Sequence, residues 1–137
     1  AKVEKTNFTA VYSLIRTREP QQKASEAGRV IQVTTTVASA PKAFWGAYAA
    51  TKAGAEALMK CWADEIESMP IRVSIVDPGR MRTQLRAQAF PGEDPETVVH
   101  PSAIGPLVVE LARADAEPPL EVKFKEWSQG PGVAGLV

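Results

Sequence analysis

Residues 71–79 read IRVSIVDPG. The first six positions are short, apolar and mostly β-branched, as a buried strand would be. Asp77-Pro78-Gly79 stops that strand, because proline brings no N–H to a ladder and Pro-Gly favours a turn. Upstream, Pro70 closes a run in which Leu58, Cys61, Trp62, Ile66 and Met69 fall at i, i+3, i+4, i+8 and i+11, the stripe of a helix over about 47–69. Before that helix, RVIQVTTTVA at 29–38 predicts another strand over 29–36. Strand, helix and strand with a crossover of this length form a βαβ unit, so the sheet is expected to be parallel.

Outward from this unit the pattern is plainer. Val3, Phe8, Val11, Leu14 and Ile15 predict a helix over 2–19 closed by Pro20, with a polar loop over 21–28. RMRTQLRAQAF predicts a short helix, and PGEDPETVVHP, with three prolines, a loop. Ser102 is placed to cap a helix over 103–114 carrying Ile104, Leu107, Val108 and Leu111. LEVKFKEW alternates apolar and charged residues like an edge strand, and 126–137 reads as a loose tail. No repeat divides the 137 residues, which suit one domain.

Composition removes several function classes. Sixteen Lys+Arg balance sixteen Asp+Glu, so no basic excess points to nucleic acid or an anionic membrane. No apolar run reaches the roughly 20 residues of a membrane span. Cys61 has no second cysteine to pair with, which favours a reducing, cytoplasmic setting, and its place on the apolar stripe predicts a buried small hydrophobe. One histidine and one cysteine make no metal cluster, and His100 between proline-rich flanks is expected at the surface. The chain opens AKVEKTNFTA, without Met or a signal-like segment, and is expected to be a piece of something longer.

The chemistry concentrates in WGAYAATKAG, residues 45–54. Tyr48 and Lys52 stand four apart and so share a helix face. A tyrosine four before a lysine is ordinary on solvated helices; the many small neighbours, which let a backbone or flat ligand come close, change that reading. A free phenol titrates near 10, an adjacent ammonium favours phenolate, and a tyrosine so tuned exchanges protons near neutrality. Thr34-Thr35-Thr36 ends one strand and Asp77-Pro78-Gly79, followed by Thr83, ends the other. Each alone is explained by β-propensity or turn formation. Together they fall at the carboxyl edge of one parallel sheet, where such sheets place ligands.

These segments resemble the short-chain dehydrogenase/reductase family. WGAYAATKAG is similar to its Tyr-x-x-x-Lys segment, GRVIQVTTTVA to the strand ending in its catalytic serine, and IRVSIVDPGRMRT to its Pro-Gly-x-x-x-Thr nicotinamide turn. TNFTAVYSLIR resembles the helix carrying its catalytic asparagine, and RAQAFPGEDP is similar to a bacterial subgroup of oxidoreductases. The resemblance runs from Asn7 to about Lys125 and corresponds to the second half of such an enzyme. It implies an α/β fold: a partial, Rossmann-like, doubly wound parallel sheet of about three strands with flanking helices, the N-terminal nucleotide-binding half absent.

The roles it implies are specific. Tyr48 would be the general acid/base, and Lys52 would tune it and bond the nicotinamide ribose. Thr35 would polarise the substrate carbonyl in place of the family's serine, with an added methyl that reduces function. Asn7 would hold a water on a proton path from Lys52. Pro78, Gly79, Met81 and Thr83 would fix the carboxamide of NAD or NADP. Apart from the resemblance, Trp45 beside Tyr48 either lines a substrate pocket or simply packs, the pocket being favoured, and Met81, Leu85 and Phe90 form either a lid or an ordinary surface helix. The implied partners are a small carbonyl or alcohol substrate and a second copy meeting through the 47–69 helix.

One literal G-x-G-x-x-G, at 130–135, follows no strand, opens no helix and contains Pro131, so it is no dinucleotide fingerprint. Without the family's Gly-rich turn, cofactor binding is expected to be impaired, and the strand over 29–36 is expected to show an unpaired edge. The rival expectation is a catalytically silent α/β remnant acting through association. A sugar-nucleotide epimerase shares the Tyr/Lys pair but suits the Pro-Gly-x-x-x-Thr turn and short tail less well.

Overall fold

The computed structural model describes residues 2–130. A first turn, α1 (Lys2–Glu4), passes through a π-helical stretch at Lys5–Thr9 into α2 (Ala10–Lys23). Strand β1 (Gly28–Val33), the short helix α3 (Thr36–Ser39), the long helix α4 (Gly46–Glu65) and β2 (Ile71–Asp77) follow. The chain continues through α5 (Gln84–Ala89), two 3-10 turns at Pro95–Thr97 and Pro101–Ile104, α6 (Gly105–Ala112), β3 (Glu121–Lys123) and α7 (Phe124–Trp127). The strands are all parallel in the order β1-β2-β3, with Gly28 opposite Ile71 and Ile75 opposite Glu121. This is the expected Rossmann-like, doubly wound arrangement.

Alternation along β2 divides the core. Ile71, Val73 and Ile75 face α2 and α4, where they meet Ile15, Met59, Trp62 and Ile66. Val76 turns the other way, to Leu107 and Leu111 of α6, Phe124 of α7 and Met81. Each large apolar side chain so buried contributes about 1.5–3 kcal/mol. The middle strand also buries Ser74, whose hydroxyl donates to the Pro119 carbonyl at 3.0 Å. On the far side Arg29 donates to the carbonyls of Arg113, Ala114 and Ala116, tying β1 to the end of α6.

Several expectations need correction. Helix α2 runs past Pro20 to Lys23, because proline so near a C-terminus costs only its own bond, while Glu19 and Lys23 pair across it at 2.9 Å. Strand β1 stops at Val33. The Thr34 N–H still reaches the Val76 carbonyl at 2.8 Å, but Thr35 then opens α3. Cys61 is exposed, not buried: α4 turns Ala55, Met59, Trp62 and the capping Ile66 inward, at i, i+4, i+7 and i+11, and this phase leaves Cys61 outside. Ser102 does not cap α6; His100, exposed, accepts from the Ser102 N–H at 3.2 Å and caps the preceding 3-10 turn instead. LEVKFKEW is a three-residue strand followed by α7, with Phe124 buried. Beyond Gly130, the glycine string and the tail over 131–137 lie outside the described residues.

Candidate active site

A cavity of about 230 Å3 opens at the carboxyl ends of β1 and β2. Val33 at the end of β1 and Thr34 and Thr35 just beyond it line one side, and Trp45, Tyr48 and Lys52 enter from the start of α4. Pro78, Gly79, Arg80, Met81 and Thr83 come from the turn after β2, and Leu85, Arg86 and Phe90 from α5 and its end. Seven of the eight residues given catalytic or cofactor-binding roles by the sequence thus meet in one place. A larger groove of about 550 Å3 lies at the opposite end of the sheet, against Ile71 and Pro118, and holds none of them.

Local structure explains each placement. Phe44 adopts φ 68°, a left-handed conformation uncommon for a bulky residue, immediately before the chain turns into α4. Trp45 then meets Tyr48 edge-on, with ring centroids 5.6 Å apart, and stacks on Phe90 at 6.1 Å. Lys52, one turn along, donates from Nζ to the Val33 carbonyl at 3.1 Å, which pins its ammonium over the end of β1. Burial pushes the Lys52 ammonium below the ordinary lysine range, and the charge of Glu56 opposes that shift. Glu56 also accepts the hydroxyl of buried Thr34. This carboxylate was not foreseen, although its i+4 spacing from Lys52 was there to be read.

The turn after β2 is built by its own residues. Gly79 sits at φ 69°, which favours glycine, and a Cβ there would project into open space. Asp77 accepts from the Gly79 N–H at 2.9 Å and from the Thr36 hydroxyl at 2.8 Å, linking the ends of the two strands. Met81 is buried, with its side chain in the α6 core, so the site can draw only on its backbone. Thr83 is the N-cap of α5 and accepts from the Arg86 N–H at 3.2 Å, which leaves its hydroxyl proton to point elsewhere.

Asn7 stands apart. It lies in the π-helical stretch before α2 and donates from Nδ2 to the Thr51 hydroxyl at 3.3 Å, one residue before Lys52, without lining the cavity. Beside it Phe8 packs on Gly54, where an added Cβ would come within 3.2 Å of the ring. The small face of α4 therefore receives a phenylalanine of the same chain.

The segment over 82–98 is held by two ion pairs. Arg86 grips Glu93 at 2.5 and 2.7 Å, Arg82 grips Glu96 at 2.8 and 3.4 Å, and the Arg86 guanidinium lies 4.4 Å over the Phe90 ring. The hydrogen bond from Arg86 holds the Glu93 carboxyl below the usual carboxylate range. Leu85 and Phe90 are exposed at the rim, whereas Met81 lies beneath, so the three do not form one lid. Among the described residues there is no cluster of metal-ligating side chains and no helix long and apolar enough to cross a membrane.

Comparison with known proteins gives a consistent picture. The short chain dehydrogenase family model matches residues 1–94. Over 114 residues, 83% of this chain, the sequence is 37% identical to the uncharacterized oxidoreductase YciK of Escherichia coli K12 and spans 45% of it. A short chain dehydrogenase from Salmonella enterica serovar Typhi superposes with a TM-score of 0.83 at 33% identity, covering 88% of this chain and 50% of that one. One from E. coli CFT073, complexed with NADPH, gives 0.82 at 34% identity with the same coverage. The chain spans about half the length of the relatives it matches.

Proposed function

Because this chain belongs to the short-chain dehydrogenase family, we propose that its cavity is an NAD(P)-dependent site for interconverting a carbonyl and an alcohol, with Tyr48 as the acid/base. The observation that carries this reading is the convergence of Thr35, Tyr48 and Lys52 with the Pro78–Gly79 turn and Thr83 around one cavity. A nicotinamide held there would supply or accept the hydride. The left-handed turn at Gly79, open above its Cα, and the Thr83 hydroxyl suit a flat carboxamide, and the relatives solved with NADP and NADPH favour the same group.

In the reducing direction Tyr48 gives its Oη proton to the carbonyl oxygen, and Thr35 donates a hydrogen bond to that oxygen. Lys52, held by the Val33 carbonyl on the same cavity as Tyr48, would favour the phenolate electrostatically as Tyr48 loses its proton. Oxidation reverses each transfer. Asn7 gives one amide N–H to Thr51, and its second N–H and amide oxygen would hold a water leading from Lys52 to solvent. The cavity serves the nicotinamide end, and affinity for the whole nucleotide is correspondingly low in this chain. A cytoplasmic location agrees with the free, exposed Cys61.

The assay is NADPH- or NADH-dependent reduction of small aldehydes and ketones by the purified chain at millimolar nucleotide. Tyr48→Phe is expected to lower turnover by roughly 10²–10⁴-fold with unchanged circular dichroism. Turnover that survives this change, or its absence from the parent chain, removes the reading. The second reading, association without catalysis, draws on the exposed Ala50, Ala57 and Cys61 along α4. It predicts a dimer by sedimentation that Ala57→Glu disrupts and Tyr48→Phe leaves intact.

A further inference from the structure

The cavity at the end of β1 and β2 carries an unbalanced charge. Among the described residues its lining includes Lys52, Arg80 and Arg86 and no aspartate or glutamate, although the whole chain has a formal net charge of zero. Two of these cations are engaged. Lys52 is bonded to the Val33 carbonyl and feels the charge of Glu56. Arg86 occupies both oxygens of Glu93 and covers Phe90.

Arg80 differs from both. It approaches Glu93 Oε1 only to 3.8 Å, beyond hydrogen-bond distance, and that oxygen already accepts from Arg86 at 2.7 Å. Asp77, three residues back, is turned to Thr36 and to the Gly79 N–H. The Arg80 side chain is 72% exposed, so its guanidinium keeps its fork of donors for another partner. It shares the cavity wall with Tyr48, and Trp45, Leu85 and Phe90 supply apolar surface between polar ends.

Taking the reaction site above as its premise, we propose that Arg80 binds an anionic group, a carboxylate or phosphate, on a molecule that reacts at Tyr48. The substrate class is then a small carbonyl or alcohol compound bearing an anion beside an apolar body. A volume of about 230 Å3, under the roughly 300–1,000 Å3 of drug-sized ligand sites, suits a small molecule. The same guanidinium chemistry would serve a phosphate of the nucleotide, and the test separates the two sources.

Calorimetric titration of the full chain uses two matched pairs of probes: benzoylformate against acetophenone, and reduced nicotinamide mononucleotide against its riboside. In Arg80→Ala, affinity for benzoylformate is expected to fall about tenfold to a hundredfold, with acetophenone unmoved and Arg80→Lys restoring part of the loss. A loss confined to the mononucleotide assigns the guanidinium to the cofactor phosphate and overturns the anionic-substrate proposal. Equal affinity within both pairs, no effect of Arg80→Ala, or no binding of either anion by the parent chain overturns the proposal. Running the titrations in Tyr48→Phe keeps the premise separate: anion preference persists there whether or not turnover is lost.

Discussion

The two walls of the cavity are made in different ways. The wall carrying Thr35, Tyr48 and Lys52 stands on α4 and β1, which are seated on the buried side chains of Met59, Trp62, Val73 and Ile75. The wall carrying Leu85, Arg86 and Phe90 belongs to the segment over 82–98, which holds its shape through Arg82–Glu96 and Arg86–Glu93. The first wall is fixed by burial; the second, anchored by buried Val98 and the Arg82 N–H bond to the Val99 carbonyl, adds charge pairing at the surface. Proton chemistry needs atoms held within a fraction of an ångström, and substrate choice needs a surface that can be changed without unfolding the protein. On the reaction proposed above, the proton chemistry falls on the wall fixed by burial.

The largest effect expected from breaking this contrast falls on the buried wall. Trp62 is 4% exposed between α4 and the sheet, and Trp62→Ala should cost about 3–5 kcal/mol. That is a large share of the roughly 5–15 kcal/mol by which an ordinary domain is stable. Denaturant titration reads it, and a loss under 1 kcal/mol would mean that α4 is not seated as described.

On the other wall the expected change is local. Arg86→Ala should alter global stability by about 0–1 kcal/mol, while amide exchange speeds up over 84–98 and not in β2. Acid should mimic the variant. The carboxyl of Glu93 is depressed in the fold, so the pairing is complete above the ordinary glutamate value and is lost as pH falls through the depressed one. Exchange that rises equally in both regions would erase the distinction between the walls.

The smallest effect sharpens the contrast at one atom. Lys52 should titrate below ordinary lysine, as 13C NMR of the dimethylated protein would read, and Glu56→Gln should lower it further. Since the folded form then binds fewer protons, Lys52 makes stability rise with pH between its depressed value and the ordinary one. A normal lysine titration in the parent chain would show that the ammonium is solvated.

The buried wall was largely legible in the sequence and the charged one was not. IRVSIV announced β2 because a central strand needs apolar side chains on both faces, and the i, i+4 spacing put Tyr48 and Lys52 on one helix face. Cys61 was misplaced because a stripe of apolar letters does not fix its phase; packing against Trp62 and Ile66 chose Ala55 and Met59 over Cys61. Thr34 through Thr36 read as strand from propensity, but the sheet bonds only the first of them before the chain turns. Arg80 and Arg86 drew no notice because their positions relative to Glu93 depend on how an irregular segment folds back, and no short-range periodicity encodes that.

Parallel pairing has a consequence for time as well as for shape. Val30 lies beside Val73, and Val76 beside Val122. Roughly forty residues must therefore be gathered in before either ladder gains its bonds, a separation that slows folding. Helix α4 falls wholly inside the first of these closures. Tyr48 and Lys52 therefore lie within the stretch that this first closure must gather in.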